Sequence, residues 1–241
     1  MLRLLLTCEH GGNQIPAAYA PLFQGQEEIL KTHQGYDIGA LEIYHTLRSI
    51  ADVGFFSETS RLLVELNRSL HHAKLFSAYT QLLPPTEKER LLKKHYKPYR
   101  EQVEQMVSDF VSAGRSVLHV AVHTFTPVLN GEERQADIGL LYDPKRKNEQ
   151  AYSKAWKTAL NKADKDLLIR FNYPYLGIAD GFPTYLRRKF KADEYIGIEL
   201  EVNQKFPQQG GGRWQEIQKL LALTLQEVVD RNKASQSEDT I

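Results

Sequence analysis

Short apolar runs alternate with amphipathic helical stretches from one end of this chain to the other. That alternation is the pattern of an α/β fold, in which helices cover a mainly parallel, buried sheet. Residues 4–8, 53–57, 62–66, 117–122, 138–142, 167–172 and 195–202 read as strands. Residues 26–32, 36–49, 86–112, 150–163 and 214–231 read as helices. In the second of these, Ile38, Leu41, Ile43, Tyr44 and Leu47 make a stripe at helical spacing, with Asp37 in the first turn. The third is expected to open on Thr86 as N-cap with Glu89 as its capping-box partner, to kink or divide into two helices at Pro98 and to stop at Gly114. In the fourth, Ala151, Ala155, Ala159 and Leu160 are expected inward; in the last, Ile217, Leu220, Leu221, Leu223, Leu225 and Val228. Gly210-Gly211-Gly212 reads as a flexible hinge before that helix, and residues 235–241 as a polar, frayed end.

No repeat or linker divides the 241 residues, so the expectation is one α/β domain over 1–241 with a twisted, mainly parallel central sheet flanked by helices. A net charge of +1 supplies no bulk field for nucleic acid or anionic lipid. No window reaches the roughly 18 apolar residues of a membrane span. The apolar start is broken by Glu9 and His10 too early for a signal peptide. The single cysteine, Cys8, excludes an intrachain disulfide and falls inside the first strand, where a small buried hydrophobe is expected. These features fit a cytoplasmic enzyme; the oligomeric state is open.

Chemistry is expected where polar residues end buried strands, because ligands of open α/β sheets bind at the carboxyl ends. Four such ends stand out: Glu9-His10, Glu65-Leu66-Asn67-Arg68, His123, and Glu199-Leu200-Glu201-Val202-Asn203. Gly11 and Gly12 after His10 let the backbone approach a metal or substrate closely, or turn. Period 2 puts Glu199, Glu201 and Asn203 on one side of their strand, and a carboxylate on an inner strand is costly unless paired or bound to metal. His119 sits mid-strand and reads as a hydrogen-bonded core histidine; His71 and His72 read as surface residues. Two histidines from separate strands with carboxylates nearby suit a catalytic zinc with an open position for water. HExxH, GxSxG, a P-loop and GxGxxG are all absent.

His10-Gly11-Gly12 with Ile15-Pro16, Asp37-Ile38-Gly39-Ala40, Ser60-Arg61 with Asn67-Arg68, His123, Asp137-Ile138-Gly139-Leu140-Leu141 and Glu201-Val202-Asn203 together resemble the motifs of the N-formylglutamate amidohydrolases. The resemblance spans roughly residues 4–206 and is closest to the branch known only as predicted relatives of that enzyme. It implies the phosphorylase/hydrolase-like fold of zinc carboxypeptidases and aspartoacylases, with a mixed sheet. It also implies zinc held by His10 and His123, a substrate carboxylate gripped by Asn67 and Arg68, and Glu201 as general base. Where the wider superfamily has His-x-x-Glu, this chain has Asn13 in place of the Glu. The third ligand is then Asp37 in the first instance and Glu9 in the second.

The reading that follows is a zinc-dependent amidohydrolase acting on a small N-acyl amino acid, with N-formylglutamate as the example. Arg61 and Arg134 are weaker candidates for the substrate carboxylate, with a surface role slightly favoured, and Tyr175 is a candidate to close over substrate. The alternatives are a metal-free binding module for a small acidic ligand built on Asn67 and Arg68, and a zinc peptidase.

Overall fold

The structure is a computed structural model and describes residues 1–238. In chain order the elements are β1 (Leu2–Cys8), α1 (Glu27–Leu30), α2 (Ala40–Arg48), β2 (Val53–Phe56), α3 (Pro85–Leu91), α4 (Lys97–Ser112), β3 (Ser116–Phe125), β4 (Val128–Leu129), β5 (Glu132–Glu133), β6 (Ile138–Leu141), α5 (Lys147–Ala163), β7 (Ile169–Phe171), α6 (Phe182–Lys189), β8 (Tyr195–Asn203), α7 (Lys205–Gln209) and α8 (Gly211–Glu238). Six strands form one mixed sheet in the order β2-β1-β3-β8-β6-β7. The first four are mutually parallel; β6 runs antiparallel to β8, and β7 is parallel to β6. β4 and β5 form a separate hairpin.

Helices α2, α5 and α8 cover one face, where Leu2, Leu4 and Leu6 of β1 meet Ile43, Leu47, Trp156, Ile217 and Leu221. Helices α4 and α6 cover the other, where Leu5 and Tyr195 meet Val103, Val107, Phe182 and Leu186. Each such side chain stabilises the fold by roughly 1.5–3 kcal/mol relative to its exposed state. The sequence therefore reads correctly at the level of layers: β1 alternates its leucines between two buried faces, as an inner strand must.

Three local expectations fail. Residues 62–66 are not a strand but a run of turns; Leu63, Val64 and Leu66 instead fill a satellite core with Tyr19, Phe23, Leu75, Leu91 and Tyr96. The second helix starts at Ala40 rather than Tyr36, because Gly39 takes φ +86° and a Cβ there would meet Pro207 at 2.7 Å. Thr86 is not an N-cap: Pro84 holds that position and Pro85 opens α3. The break expected at Pro98 is present: α3 passes into a π-type segment, Leu92–Tyr96, and α4 begins with Pro98 in its first turn.

Smaller corrections follow from packing. Ala151 and Ala155 face solvent while Tyr152 and Trp156 turn inward, and Leu223 is exposed. Helix α6 is an element the sequence does not announce, and the final helix continues to Glu238; the frayed end expected over 235–241 has its last three residues outside the described residues. Gly210 and Gly211 both take positive φ at the α7–α8 break. Among the described residues, no helix is long and apolar enough to cross a membrane.

Candidate metal and substrate site

Parallel pairing of β1, β3 and β8 carries their carboxyl ends to one edge of the sheet. Glu9 and His10 lie just past β1, His123 near the end of β3, and Glu199 and Glu201 along β8. The turn before α2 brings Asp37 to them, its N–H donating to His10 O at 3.0 Å. Glu65, Asn67 and Arg68 arrive on the irregular segment rather than on a strand. All of these except Glu9, with Lys74, Thr124, Tyr175, Leu176 and Asp180, line a cavity of about 370 Å³. A cavity of about 440 Å³ between α4 and α6 shares Asp180 and contains none of the histidines or carboxylates just named except that one.

At the floor, one carboxylate oxygen joins two imidazoles. Asp37 Oδ2 lies 3.2 Å from His10 Nδ1 and 2.9 Å from His123 Nδ1. The far nitrogens are braced by other acids: His10 Nε2 bonds Glu65, and His123 Nε2 lies 3.3 Å from Glu9. Glu65 in turn accepts from Arg61 Nε at 2.8 Å, while Arg61 Nη1 donates to Asp37 Oδ1 at 3.1 Å. Tyr99 OH donates to Glu9 at 3.2 Å. Ligand atoms of His10, Asp37 and His123 lie within 4.8 Å of one another, so the three could hold a metal. Donors about 2.0–2.2 Å from a tetrahedral zinc lie roughly 3.3–3.6 Å apart, close to the separations around Asp37. Carboxylates behind both imidazoles match the usual support of ligating histidines. Two nitrogens and one carboxylate oxygen, all buried, thus fit zinc.

Burial alone would lower the His123 pKa, but its bonds to Asp37 and Glu9 and their charges hold it well above the ordinary histidine value. Burial would raise Glu9, yet His123 brings it down to about 2. Asp37 and Glu65 are likewise raised by burial and lowered further by their neighbours, His10 and Arg61 respectively, so both end well below the carboxylate range. Glu201 goes the other way. Burial pushes it up to about 8; the charge of His123 pulls against this, and Asp37 and Glu199 add to it. Its Oε2 is buried without a hydrogen-bond partner. Glu199 is also raised by burial, against the charges of His123 and Arg187.

The expected residues divide. His10, His123, Asp37, Glu201, Asn67, Arg68, Arg61 and Tyr175 all line the one cavity. Arg61 is no free surface arginine: it is half-buried and bonded to Glu65 and Asp37. Arg134 stands behind Tyr175, donating to its hydroxyl at 3.1 Å and stacking 5.0 Å from its ring. Arg68 donates through Nη1 to Asp180 O, and among the described residues its Nε and Nη2 have no protein partner. Asn67 Oδ1 accepts from Phe182 N at 2.6 Å, which leaves Nδ2 beside His123 at 3.5 Å. His119 is the core histidine expected, held by Thr7 at 2.7 Å and Tyr195 at 2.6 Å. Gly11 and Gly12 serve close backbone passage, not a ligand: a Cβ on Gly12 would meet Glu58 O at 2.6 Å. Lys74 and Asp180 were missed, and Glu65 was noticed without a role; its place four residues after Arg61 and two before Asn67 was the available signal.

The fold matches solved structures over nearly its whole length. A gene product from Agrobacterium tumefaciens is 24% identical, with 96% of this chain and 92% of that chain covered at a TM-score of 0.81. An N-formylglutamate amidohydrolase from Ralstonia eutropha JMP134 is 16% identical, with 97% and 95% covered at a TM-score of 0.69. No curated protein matches. The family model described as N-formylglutamate amidohydrolase matches residues 2–206. Sheet order, converging strand ends and this match agree: the chain belongs to the N-formylglutamate amidohydrolase family.

Proposed function

We propose that this protein is a zinc-dependent amidohydrolase that cleaves a small N-acyl amino acid, with an N-formyl amino acid such as N-formylglutamate the first candidate. One observation carries the reading: two imidazole nitrogens meet one Asp37 oxygen in the cavity that also holds the unpartnered buried carboxyl of Glu201. His10, His123 and Asp37 are assigned as the ligands, and Glu9 and Glu65 as the carboxylates that orient the imidazoles. Zinc held there supplies Lewis-acid polarisation of an amide carbonyl and lowers the pKa of water to about 7.

Glu201 is the proton carrier. In its ionised form Oε2, which no protein group occupies, takes a proton from the attacking water and returns it to the leaving amine nitrogen. Arg68 is assigned to the substrate carboxylate because Arg61 is consumed by Glu65 and Asp37, whereas Arg68 keeps Nε and Nη2 for a two-pronged contact. Asn67 Nδ2 is directed at the same space, beside His123. Tyr175, backed by Arg134, closes the solvent side.

Elemental analysis of protein purified without added metal, followed by amine release from N-formyl and N-acetyl amino acids, tests this. About one zinc per chain and turnover that is lost on chelation are expected. Binding of acidic ligands without turnover or metal would replace it with a metal-free binding module.

A further inference from the structure

The segment bearing Asn67 and Arg68 has no strand or helix to hold it, so something else must fix its two side chains in the cavity. The groups that do so come from α4 and the segment preceding it. Arg100 is only 5% exposed. Its Nη1 donates to Leu66 O at 2.8 Å and to Arg68 O at 3.4 Å, the carbonyls on either side of Asn67. Tyr96 OH donates to the same Arg68 carbonyl at 2.6 Å. Among the described residues no carboxylate forms an ion pair with Arg100. Three aromatic faces compensate the buried charge instead, with its guanidinium carbon 4.1 Å from the Phe182 ring, 4.7 Å from Tyr185 and 5.1 Å from Tyr96.

Phe182 closes the circuit. Its ring carries the guanidinium, and its backbone N–H is bound by Asn67 Oδ1 at 2.6 Å. One residue group thus joins both segments that form this wall. Ser69 N donates to Asp180 Oδ2 at 3.0 Å, and Arg68 to Asp180 O, on the same seam. Arg100 itself lines the neighbouring cavity and is absent from the lining of the candidate site.

We propose that Arg100 is a positioning residue for substrate recognition: its buried guanidinium pins the backbone on both sides of Asn67 and thereby aims Asn67 and Arg68 at the substrate carboxylate. The role requires the flat fork of arginine, since one planar group must bond carbonyls at its edge and meet aromatic rings at its face. A lysine would keep the charge and a donor but lose the planar face that meets three rings while its edge bonds the carbonyls. The assignment of a carboxylate to Arg68 rests on the function proposed above; the backbone role of Arg100 does not.

The test uses Arg100→Met and Arg100→Lys in the full chain. Amide hydrogen exchange is read over residues 66–69 and 180–182, and kinetics on an N-formyl amino acid and on its carboxamide analogue. Loss of charged hydrogen bonds of this kind is worth roughly ten- to a hundredfold. Exchange in both segments should therefore rise at least about tenfold in Arg100→Met, with zinc content unchanged. KM for the carboxylate substrate should rise by a similar factor, kcat should stay within a few-fold, and preference for carboxylate over carboxamide should fall. Arg100→Lys should not restore it. Tyr96→Phe, which removes one hydroxyl, should shift the same readouts less, and serves if Arg100→Met does not fold.

Unchanged exchange in the two segments overturns the proposal. So does an equal loss of activity on both substrates with the preference intact, which is what general loosening would give. If the wild type turns over no N-acyl amino acid, the proposed function fails, while the exchange readout still decides whether Arg100 holds the segment.

Discussion

His123 and Glu201 are direct partners in the parallel register of β3 and β8. Paired residues leave a sheet on the same face, so the imidazole and the carboxyl share one side of the cavity by construction. The same register places Ala121 beside Glu199, so the second carboxyl has a small neighbour and faces the same space. On the function proposed above, this pairing sets the proton carrier one strand from a metal ligand. The mechanism can be dissected on that pair first.

Glu201→Gln keeps the shape and removes the base. It should retain zinc and fold, leave KM within a few-fold, and lower kcat by about 10²–10⁴, the usual range for general acid–base catalysis. Loss of zinc in this variant would make Glu201 a ligand. Glu199→Gln should have a smaller effect.

The raised pKa of Glu201 also enters stability. The folded carboxyl binds its proton up to about pH 8, whereas the unfolded one releases it near its ordinary value of 4.5. Between those limits the folded state holds more protons, so this contribution is complete below about pH 4.5 and is lost as pH rises through 8. Metal-free wild type should therefore lose ground to metal-free Glu201→Gln between pH 5 and pH 8.5. A relative Tm change of at least about 3 °C is expected, since 1 kcal/mol shifts Tm by roughly 2–4 °C at this size. Parallel melts at the two pH values check it; coincident shifts in both proteins would sink it.

Asp37 is buried and lies three residues before Ala40, outside the first turn of α2. Its presence is therefore not accounted for by the helix dipole. Asp37→Ala should lower zinc content about as much as His10→Ala. A full zinc complement in Asp37→Ala would move the third ligand to Glu9.

Arg61 holds Asp37 and Glu65 through three hydrogen bonds. Removing such support behind metal ligands costs about 10–100-fold in metal affinity or activity. Arg61→Met should weaken zinc binding by that factor in a chelator competition, with KM for the substrate nearly unchanged. A raised KM with normal zinc affinity would return Arg61 to the substrate.

Gly139 pairs with Glu201 across β6 and β8. A Cβ there would sit 2.0 Å from Tyr173 O and 3.2 Å from Glu201 Cβ. Gly139→Ala should cost about 1–3 kcal/mol in urea unfolding, as overpacking does, and lower activity by displacing the Tyr175 loop. An unchanged midpoint would mean the loop yields freely.

What was legible in the sequence follows from what the physics encodes locally. β1, β3 and β8 were readable because inner strands must be apolar on both faces, and His10, His123 and Glu201 stood out against that background. His119 was separable from His123 by its mid-strand position alone. Residues 62–66 misled for the same reason: an apolar run that fills a satellite core has the composition of a strand without the partner that would make it one. The roles of Arg61 and Glu65 were not legible, because no spacing rule says that a surface-type arginine will face two buried acids. Arg100 was invisible too, since its partners are backbone carbonyls that every residue possesses.

The order of strands across the sheet sets a timetable for synthesis. β1 emerges from the ribosome first, yet its central neighbour is β3, with Leu2 opposite Ser116, and β3 in turn needs β8, with His123 opposite Glu201. Pairings this distant along the chain close slowly. In the interval the leucines of β1 have β2, α2 and α4 beside them but lack the central strand that completes their burial, and apolar strands left so are prone to aggregate. His10 and Asp37 are also made well before His123, so the trio that could hold a metal is complete only once β3 has paired with β1.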